Sequence, residues 1–319
     1  MTIAFTFPGQ GSQQVGMGAD LAESYATARE VFQEIDDALS QKLSSIMWEG
    51  PEEDLTLTEN AQPALMAVSL AVMRVLERDK GLDLGKSVRF VAGHSLGEYS
   101  ALAAAGSLAL ADTARLLKTR GQAMQQAVPV GEGAMAALLG AELPDAQRLA
   151  TDAAQGDVCE VANDNAPGQV VVSGAKPAVE RAIEMASDFG ARRAVLLPVS
   201  APFHCSLMAP AAEVMAEALG AVEIQSPAVP LIANVTASEI TDAGEIRERL
   251  VEQVTGMVRW RESVAYMVEK GVGSLYEIGA GRVLTGLARR IDRDLDAKSV
   301  GNPEEIDAAM EALEAQGSE

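Results

Sequence analysis

The stretch Val88-Arg-Phe-Val-Ala-Gly-His-Ser-Leu-Gly97 runs from an apolar segment of strand length into a Gly-x-Ser-x-Gly turn, and the Ala-rich segment Leu96 to Ala105 then reads as a helix. A serine between two glycines at a strand-to-helix turn has the form of a nucleophile elbow. The sharp turn lifts the hydroxyl above the sheet, and the glycines relieve the crowding that results. The same motif also serves as a purely structural turn; strand before and helix after favour the nucleophile. Such a turn belongs to an α/β architecture.

The alternation of strand and helix extends outward from it. Ile3–Phe7 reads as the first strand. Ala19–Leu39 reads as a helix, with Leu21, Tyr25, Ala28, Phe32, Ile35 and Leu39 near a 3.6-residue period. Asn60–Glu77 is expected to be helical with Pro63 in its first turn, and Leu110–Gln126 follows the elbow helix. Between about Val128 and Pro198 the order changes to strand (Ala134–Leu139), helix (Leu143–Ala154), strand (Val158–Ala162), strand (Gln169–Ser173), helix (Pro177–Phe189) and strand (Arg192–Leu197). This βαββαβ order is ferredoxin-like. It predicts a small subdomain, residues 129–197, inserted into a hydrolase-like core of residues 1–128 and 198–319, whose mostly parallel sheet is flanked by helices. From Glu304 the chain reads as a solvated acidic amphipathic end.

Composition bounds the function. The 319 residues are 48% hydrophobic and 22% charged, as in ordinary globular proteins. Lys and Arg total 25 against 46 Asp and Glu, a net charge of −21, which repels nucleic-acid phosphates and anionic lipid. An anionic substrate must therefore meet a local cluster of positive charge. The two cysteines form no CxxC pair, so a zinc ribbon or thioredoxin-type site is excluded. No GxxxxGK[ST] or GxGxxG loop is present, and neither a nucleotide cofactor nor a metal is expected. The richest apolar stretch, residues 61–76, is interrupted by Gln62, Pro63, Ser69 and Arg74 and falls short of the roughly 20 residues of a membrane span. The N-terminus lacks the basic region of a signal peptide. These features predict a soluble cytoplasmic protein with no membrane or nucleic-acid partner.

A serine nucleophile needs a base, and the chain has two histidines. His94 adjoins Ser95, and neighbours on a tight turn splay apart. His204, in the Pro-punctuated loop Ser200-Ala-Pro-Phe-His-Cys-Ser-Leu-Met208, is the base by elimination, with Cys205 beside it as a small buried filler. In Phe7-Pro-Gly-Gln-Gly-Ser-Gln13 two glycines flank Gln10, so its backbone can approach a ligand, or simply turn. Ser95 opens a helix, whose N–H groups can stabilise an oxyanion. Arg120, late in its helix, either answers the helix dipole or holds a carboxylate through its planar fork.

Several motifs in register resemble the malonyl-CoA:acyl carrier protein transacylases: FPGQGSQ (7–13), GHSLGEYSAL (93–102), Thr119–Gly121, GAMAALLG (133–140), ANDNAPGQVVVSG (162–174), PFHCSLM (202–208), NVTA (234–237) and LYEIGAGRVLTGL (275–287). The resemblance runs from about residue 4 to residue 290. It implies an acyl-carrier-protein S-malonyltransferase of fatty acid biosynthesis that works by ping-pong transfer through a malonyl-serine. Ser95 matches the nucleophile and His204 its general base, a dyad rather than a triad. The backbone carbonyl of Gln253 matches the group that orients this histidine, although Thr255-Gly-Met departs from the commoner segment. Gln10 and Leu96 match the oxyanion-hole amides, Arg120 the residue that pairs with the malonyl carboxylate, and Phe203 the bulky residue associated with rejecting a methylmalonyl group. The substrates implied are malonyl-CoA and phosphopantetheinylated acyl carrier protein, with no bound cofactor, a transient carrier complex and a monomeric enzyme. Three alternatives stand beside it: the malonyl transacylase subunit of malonate decarboxylase, a serine thioesterase or esterase, and a non-catalytic carrier-binding subunit. Because carrier proteins are acidic, a basic rim is expected among Lys176, Arg181, Arg192, Arg193, Arg282, Arg289 and Arg290.

Overall fold

The structure, a computed structural model, describes residues 2–317; Met1, Ser318 and Glu319, at the ends of the expected core, lie outside the described residues. Its strands in chain order are β1 (Thr2–Phe7), β2 (Phe90–Gly93), β3 (Gly133–Leu139), β4 (Cys159–Ala166), β5 (Gln169–Ala175), β6 (Arg193–Leu196), β7 (Leu231–Ile232), β8 (Glu239–Ile240), β9 (Val272–Ile278) and β10 (Asp296–Val300). The helices that position the site are α1 (Thr58–Arg78), α2 (Gly97–Ala104), α3 (Leu110–Ala127), α4 (Leu143–Ala154), α5 (Lys176–Met185), α6 (Ala243–Thr255), α7 (Trp260–Glu269) and α8 (Val283–Ile291).

One sheet has the order β10-β9-β1-β2-β7-β8. It is parallel except for the short β7–β8 pair. In β1 every residue from Ile3 to Phe7 is buried, as expected of a central strand covered on both faces. Helix α1 is buried almost all round, which marks a central helix rather than an amphipathic surface one. The second sheet, β4-β5-β3-β6, is antiparallel throughout. With α4 and α5 packed on it over its own apolar core, it has the ferredoxin-like arrangement expected from the element order.

Local departures from the sequence expectations have physical causes. The expected helix Ala19–Leu39 is two helices, Ala19–Ser24 and Ala26–Leu39, because Tyr25 is extended. Leu21 and Ala28 both reach the core across the break, so the apolar period survives it. Helix α1 starts at Thr58, which puts Pro63 in the second turn and not the first. Its start is held against α3 by Gly121, where a Cβ would fall 2.5 Å from Glu59 Cα. Strand β4 runs on to Ala166 through two register shifts, and such bulges hide the alternation that marks a strand.

That extended β4 ties the second sheet to the first. The Val258 amide donates to Ala162 O (2.9 Å) and the Asp164 amide to Val258 O (3.0 Å). Arg261 of α7 grips the Asp164 carboxylate through Nε (2.9 Å) and Nη2 (2.8 Å). Asp164 is buried whereas Arg261 is about one-third exposed, so removing the arginine strands a buried charge with partial access to water. Arg261→Ala should cost about 1–3 kcal/mol, below the range for a fully buried pair. The check is a lowered urea midpoint with an unchanged slope. An unmoved midpoint would show that the strand hydrogen bonds alone hold the join.

Candidate active site

Gly93 closes β2 and Gly97 opens α2. A Cβ on Gly93 would lie 1.9 Å from the Gly97 carbonyl carbon, and one on Gly97 would lie 2.2 Å from Phe7 O. No side chain fits either position, so the turn between them is forced to be tight. Ser95 at its apex has φ +54° and His204 has φ +58°, left-handed conformations that non-glycine residues rarely adopt. Side chains from distant segments clamp the apex. Asn234 Oδ1 accepts from Ser95 N (2.8 Å), and its Nδ2 donates to Gly93 O (2.7 Å). Gln253 Nε2 donates to Ser95 O at 2.9 Å.

The two residues that the sequence singles out for nucleophile and base meet: Ser95 Oγ lies 2.7 Å from His204 Nε2. On the other side of the ring, Nδ1 lies 2.9 Å from Gln253 O. A carbonyl can only accept, so Nδ1 carries the proton and Nε2 is left as the acceptor for the serine hydroxyl. Burial first, and the charge of Arg120 second, push the His204 pKa down to about 3. The imidazole is therefore neutral at physiological pH and free to take a proton.

Arg120 is 1% exposed. Its Nη1 donates to Gln62 Oε1 (2.8 Å), and Nη2 donates to Gln253 Oε1 (2.8 Å) and to Ser95 Oγ (3.1 Å). The guanidinium carbon stands 5.7 Å from the centre of the Tyr99 ring. All of these partners are neutral, and Arg120 lines a cleft of about 830 Å³ together with Gln10, Ser95, Leu96, Met135, Phe203 and His204. Gly9 packs so close to the elbow that a Cβ there would meet His94 O at 2.8 Å. This brings the Gln10 loop beside Leu96. Among the described residues, neither the Gln10 nor the Leu96 amide donates to a protein acceptor.

His94 engages Asn165 rather than Ser95, with Nε2 2.8 Å from Asn165 Oδ1 and its ring stacked obliquely near Trp260. Cys205 is fully buried, with its thiol donating to Pro202 O and pushed up to about 11 by burial. Sequence reasoning missed Gln62, Asn234, Glu98 and the side chain of Gln253. Gln62 drew notice only as an interruption of an apolar run; a polar residue on a helix buried all round was the signal that it serves a buried partner.

The electrostatics make a measurable claim about both histidines, since burial also holds His94 below its ordinary value. The His204 ring C–H resonances should stay fixed between about pH 7 and about pH 5, the interval in which a free imidazole near 6.5 titrates, and those of His94 should titrate below that free value. An imidazole kept neutral when folded and free to charge when unfolded also makes stability fall as pH drops below about 6.5. A signal that titrates near that value and vanishes in His204→Ala would show a solvated ring instead.

Known proteins match nearly the whole chain. The model of the acyl transferase domain family matches residues 4–303. The Bacillus subtilis malonyl CoA-acyl carrier protein transacylase is 47% identical over 98% of this chain and 97% of its own, and the Escherichia coli protein of that name is 46% identical over 97% and 99%. Among solved structures, the acyl-carrier-protein-S-malonyltransferase from Bartonella henselae is 58% identical, covers 98% of this chain and 100% of its own, and superimposes with a TM-score of 0.96. A malonyl-transacylase solved in complex with a type II polyketide acyl carrier protein is 44% identical, with a TM-score of 0.94 over 98% of this chain and 100% of its own. A serine and a neutral histidine in hydrogen-bond contact beside a buried arginine, on a chain matched end to end, leave one assignment: the protein belongs to the acyl transferase domain family, among the malonyl CoA-acyl carrier protein transacylases.

Proposed function

We propose that this chain is an acyl-carrier-protein S-malonyltransferase that moves a malonyl group from malonyl-CoA to the phosphopantetheine thiol of acyl carrier protein, for fatty acid biosynthesis. The observation that carries the reading is the buried Arg120, whose Nη2 lies 3.1 Å from Ser95 Oγ. A cation so close to the nucleophile suits an acyl group that carries a second carboxylate. Ser95 Oγ attacks the thioester carbonyl while His204 Nε2 takes its proton. The oxyanion is held by the Gln10 and Leu96 amides, and the thiol leaves with the proton returned by His204. The carrier thiol then attacks the malonyl-serine by the same steps in reverse. Gln253 O holds the imidazolium where a triad would use a carboxylate. A thioester is already activated, so positioning supplies much of the acceleration.

Selectivity follows from the same residues. An acetyl group offers Arg120 no carboxylate to contact, a difference worth a few kcal/mol. Phe203, at the wall of the cleft, crowds an α-methyl, worth about 1–3 kcal/mol, so methylmalonyl is rejected only in part. We assign the core to residues 1–128 and 198–319, the ferredoxin-like subdomain to 129–197, and the enzyme to the cytoplasm as a monomer. No helix among the described residues is long and apolar enough to cross a membrane.

We place the basic rim expected for an acidic carrier at one cleft, beside which Arg193 opens β6 directly after Arg192. Lys176 pairs with Glu180, Arg181 with Asp157 and Arg282 with Glu305. Arg192, Arg289 and Arg290 instead line one cleft together with Arg293, where Gly140 and Gly168 meet. The bonds of Arg289 and Arg290 go to neutral oxygens, Ala297 O and Gln169 Oε1. Leu139 in this cleft and Met135 in the serine cleft both lie on β3, about 13 Å apart at the rise of a strand.

Intact mass after mixing with malonyl-, acetyl- or methylmalonyl-CoA tests the acyl-enzyme. A single malonyl adduct should form, be lost in Ser95→Ala, and pass to carrier protein on its addition. Arg120→Ala should erase the preference for malonyl over acetyl. Release of free malonate with no adduct would make the chain a hydrolase. For the carrier, Arg192→Glu and Arg290→Glu should raise its KM several-fold, less so at high salt, and leave the KM for malonyl-CoA unchanged. A rise in the malonyl-CoA KM alone would assign the cleft to coenzyme phosphates.

A further inference from the structure

One buried titratable group near the nucleophile has no part in the mechanism above. Glu98 follows Gly97 in α2 and is fully buried. Its Oε2 accepts from Gln253 Nε2 at 2.7 Å and from the Asn234 backbone amide at 3.3 Å, and its Oε1 has no partner among the described residues. Gln253 Oε1 in turn accepts from Arg120 Nη2 at 2.8 Å. One side-chain amide thus separates a buried carboxyl from a buried guanidinium. A carboxylate only accepts, so it fixes which end of that amide faces it. With the NH2 turned to Glu98, the Gln253 oxygen must face Arg120, which helps hold Nη2 toward Ser95 Oγ.

The charges that act on Glu98 are few. Tyr99, on the same helix, is itself pushed up to about 12 by burial and stays neutral. Burial pushes the Glu98 carboxyl up to about 7, against the downward pull of the hydrogen bonds from Gln253 of α6 and Asn234 beyond β7 and, behind them, of Arg120 of α3, the one cation among these groups. A second carboxylate that paired with Arg120 would cancel that support. The unpartnered Oε1 can then receive a proton with no hydrogen bond broken.

We propose that Glu98 is the internal counter-ion of Arg120, and that a malonyl carboxylate pairing with Arg120 displaces it from that role by driving a proton from solvent onto Glu98 Oε1. The inference rests on the malonyl-transfer reading. It makes Glu98 a positioning residue, since it acts through Gln253 and Arg120 and touches no acyl atom. Acylation itself is proton-neutral: the Ser95 proton passes through His204 to the departing thiolate, and the thiol stays protonated just above neutrality. Any net proton taken up on acylation therefore comes from solvent and settles on another group of the site.

The test mixes wild-type protein with malonyl-CoA in weak buffer just above neutral pH, with an indicator dye reading protons and intact mass counting adducts in the same sample. Acetyl-CoA, which carries the same nucleotide, is the reference. A sizeable fraction of one proton should be taken up per malonyl adduct and none per acetyl adduct. Glu98→Gln should lose the uptake while Ser95 still acylates. Malonyl adducts without proton uptake in the wild type would overturn the role of Glu98 and leave the transferase reading intact. Uptake that persists in Glu98→Gln would overturn it as well. Failure to form any malonyl adduct would remove both.

Discussion

Arg120, with 1% of its surface exposed, buries a guanidinium, and much of the site is arranged around it. Stripping a charge of water costs several kcal/mol unless hydrogen bonds and an opposite charge replace the solvent. Arg120 receives oxygens from Gln62, Ser95 and Gln253, the face of the Tyr99 ring, and, through Gln253, the carboxyl of Glu98. These come from α1, the elbow with the helix α2 that continues it, and α6, so the relative placement of three separate segments is bound to one charge. None of the direct partners is ionised. The compensation is left incomplete at the point where the proposed substrate carries a carboxylate.

The backbone at the elbow is held by the same economy of partners. Ser95 sits in a left-handed conformation that costs of order 1–3 kcal/mol. Asn234 bonds to its amide and to Gly93 O, and Gln253 to its carbonyl. Gln253 accordingly serves four partners at once: Ser95 O, Glu98, Arg120 and, through its own carbonyl, His204. A residue in that position is intolerant of change for reasons of geometry before any question of chemistry arises.

What was legible in the sequence and what was not divides along range. The elbow could be read because strand, glycines, serine and helix are contiguous, and His204 because histidine is scarce. The βαββαβ order is likewise a local pattern repeated along the chain, and the sheet order agrees with it. The partners of Arg120 could not be read. Gln62 and Gln253 reach it across 58 and 133 residues, and an amide side chain carries no mark of what it will meet. The two bulges of β4 erased the alternation that would have announced Asn163 and Asp164 as strand. Of the seven basic residues expected at the rim, sequence alone could not separate those with an acidic neighbour nearby from those gathered at one cleft.

The charge on Arg120 also bears on the base. It is the second cause, after burial, of the low basicity of His204. On the proposed reading, a malonyl carboxylate that neutralises Arg120 lifts part of that depression just as the nucleophile must lose its proton. An acetyl group leaves it in place. The correct acyl group then strengthens the base that activates Ser95, and a wrong one meets a site whose buried cation has no carboxylate in contact and whose histidine is weak. On that reading recognition and activation draw on a single electrostatic change, which gives Arg120 a reason to lie within hydrogen-bond distance of Ser95 and not at the far end of the cleft.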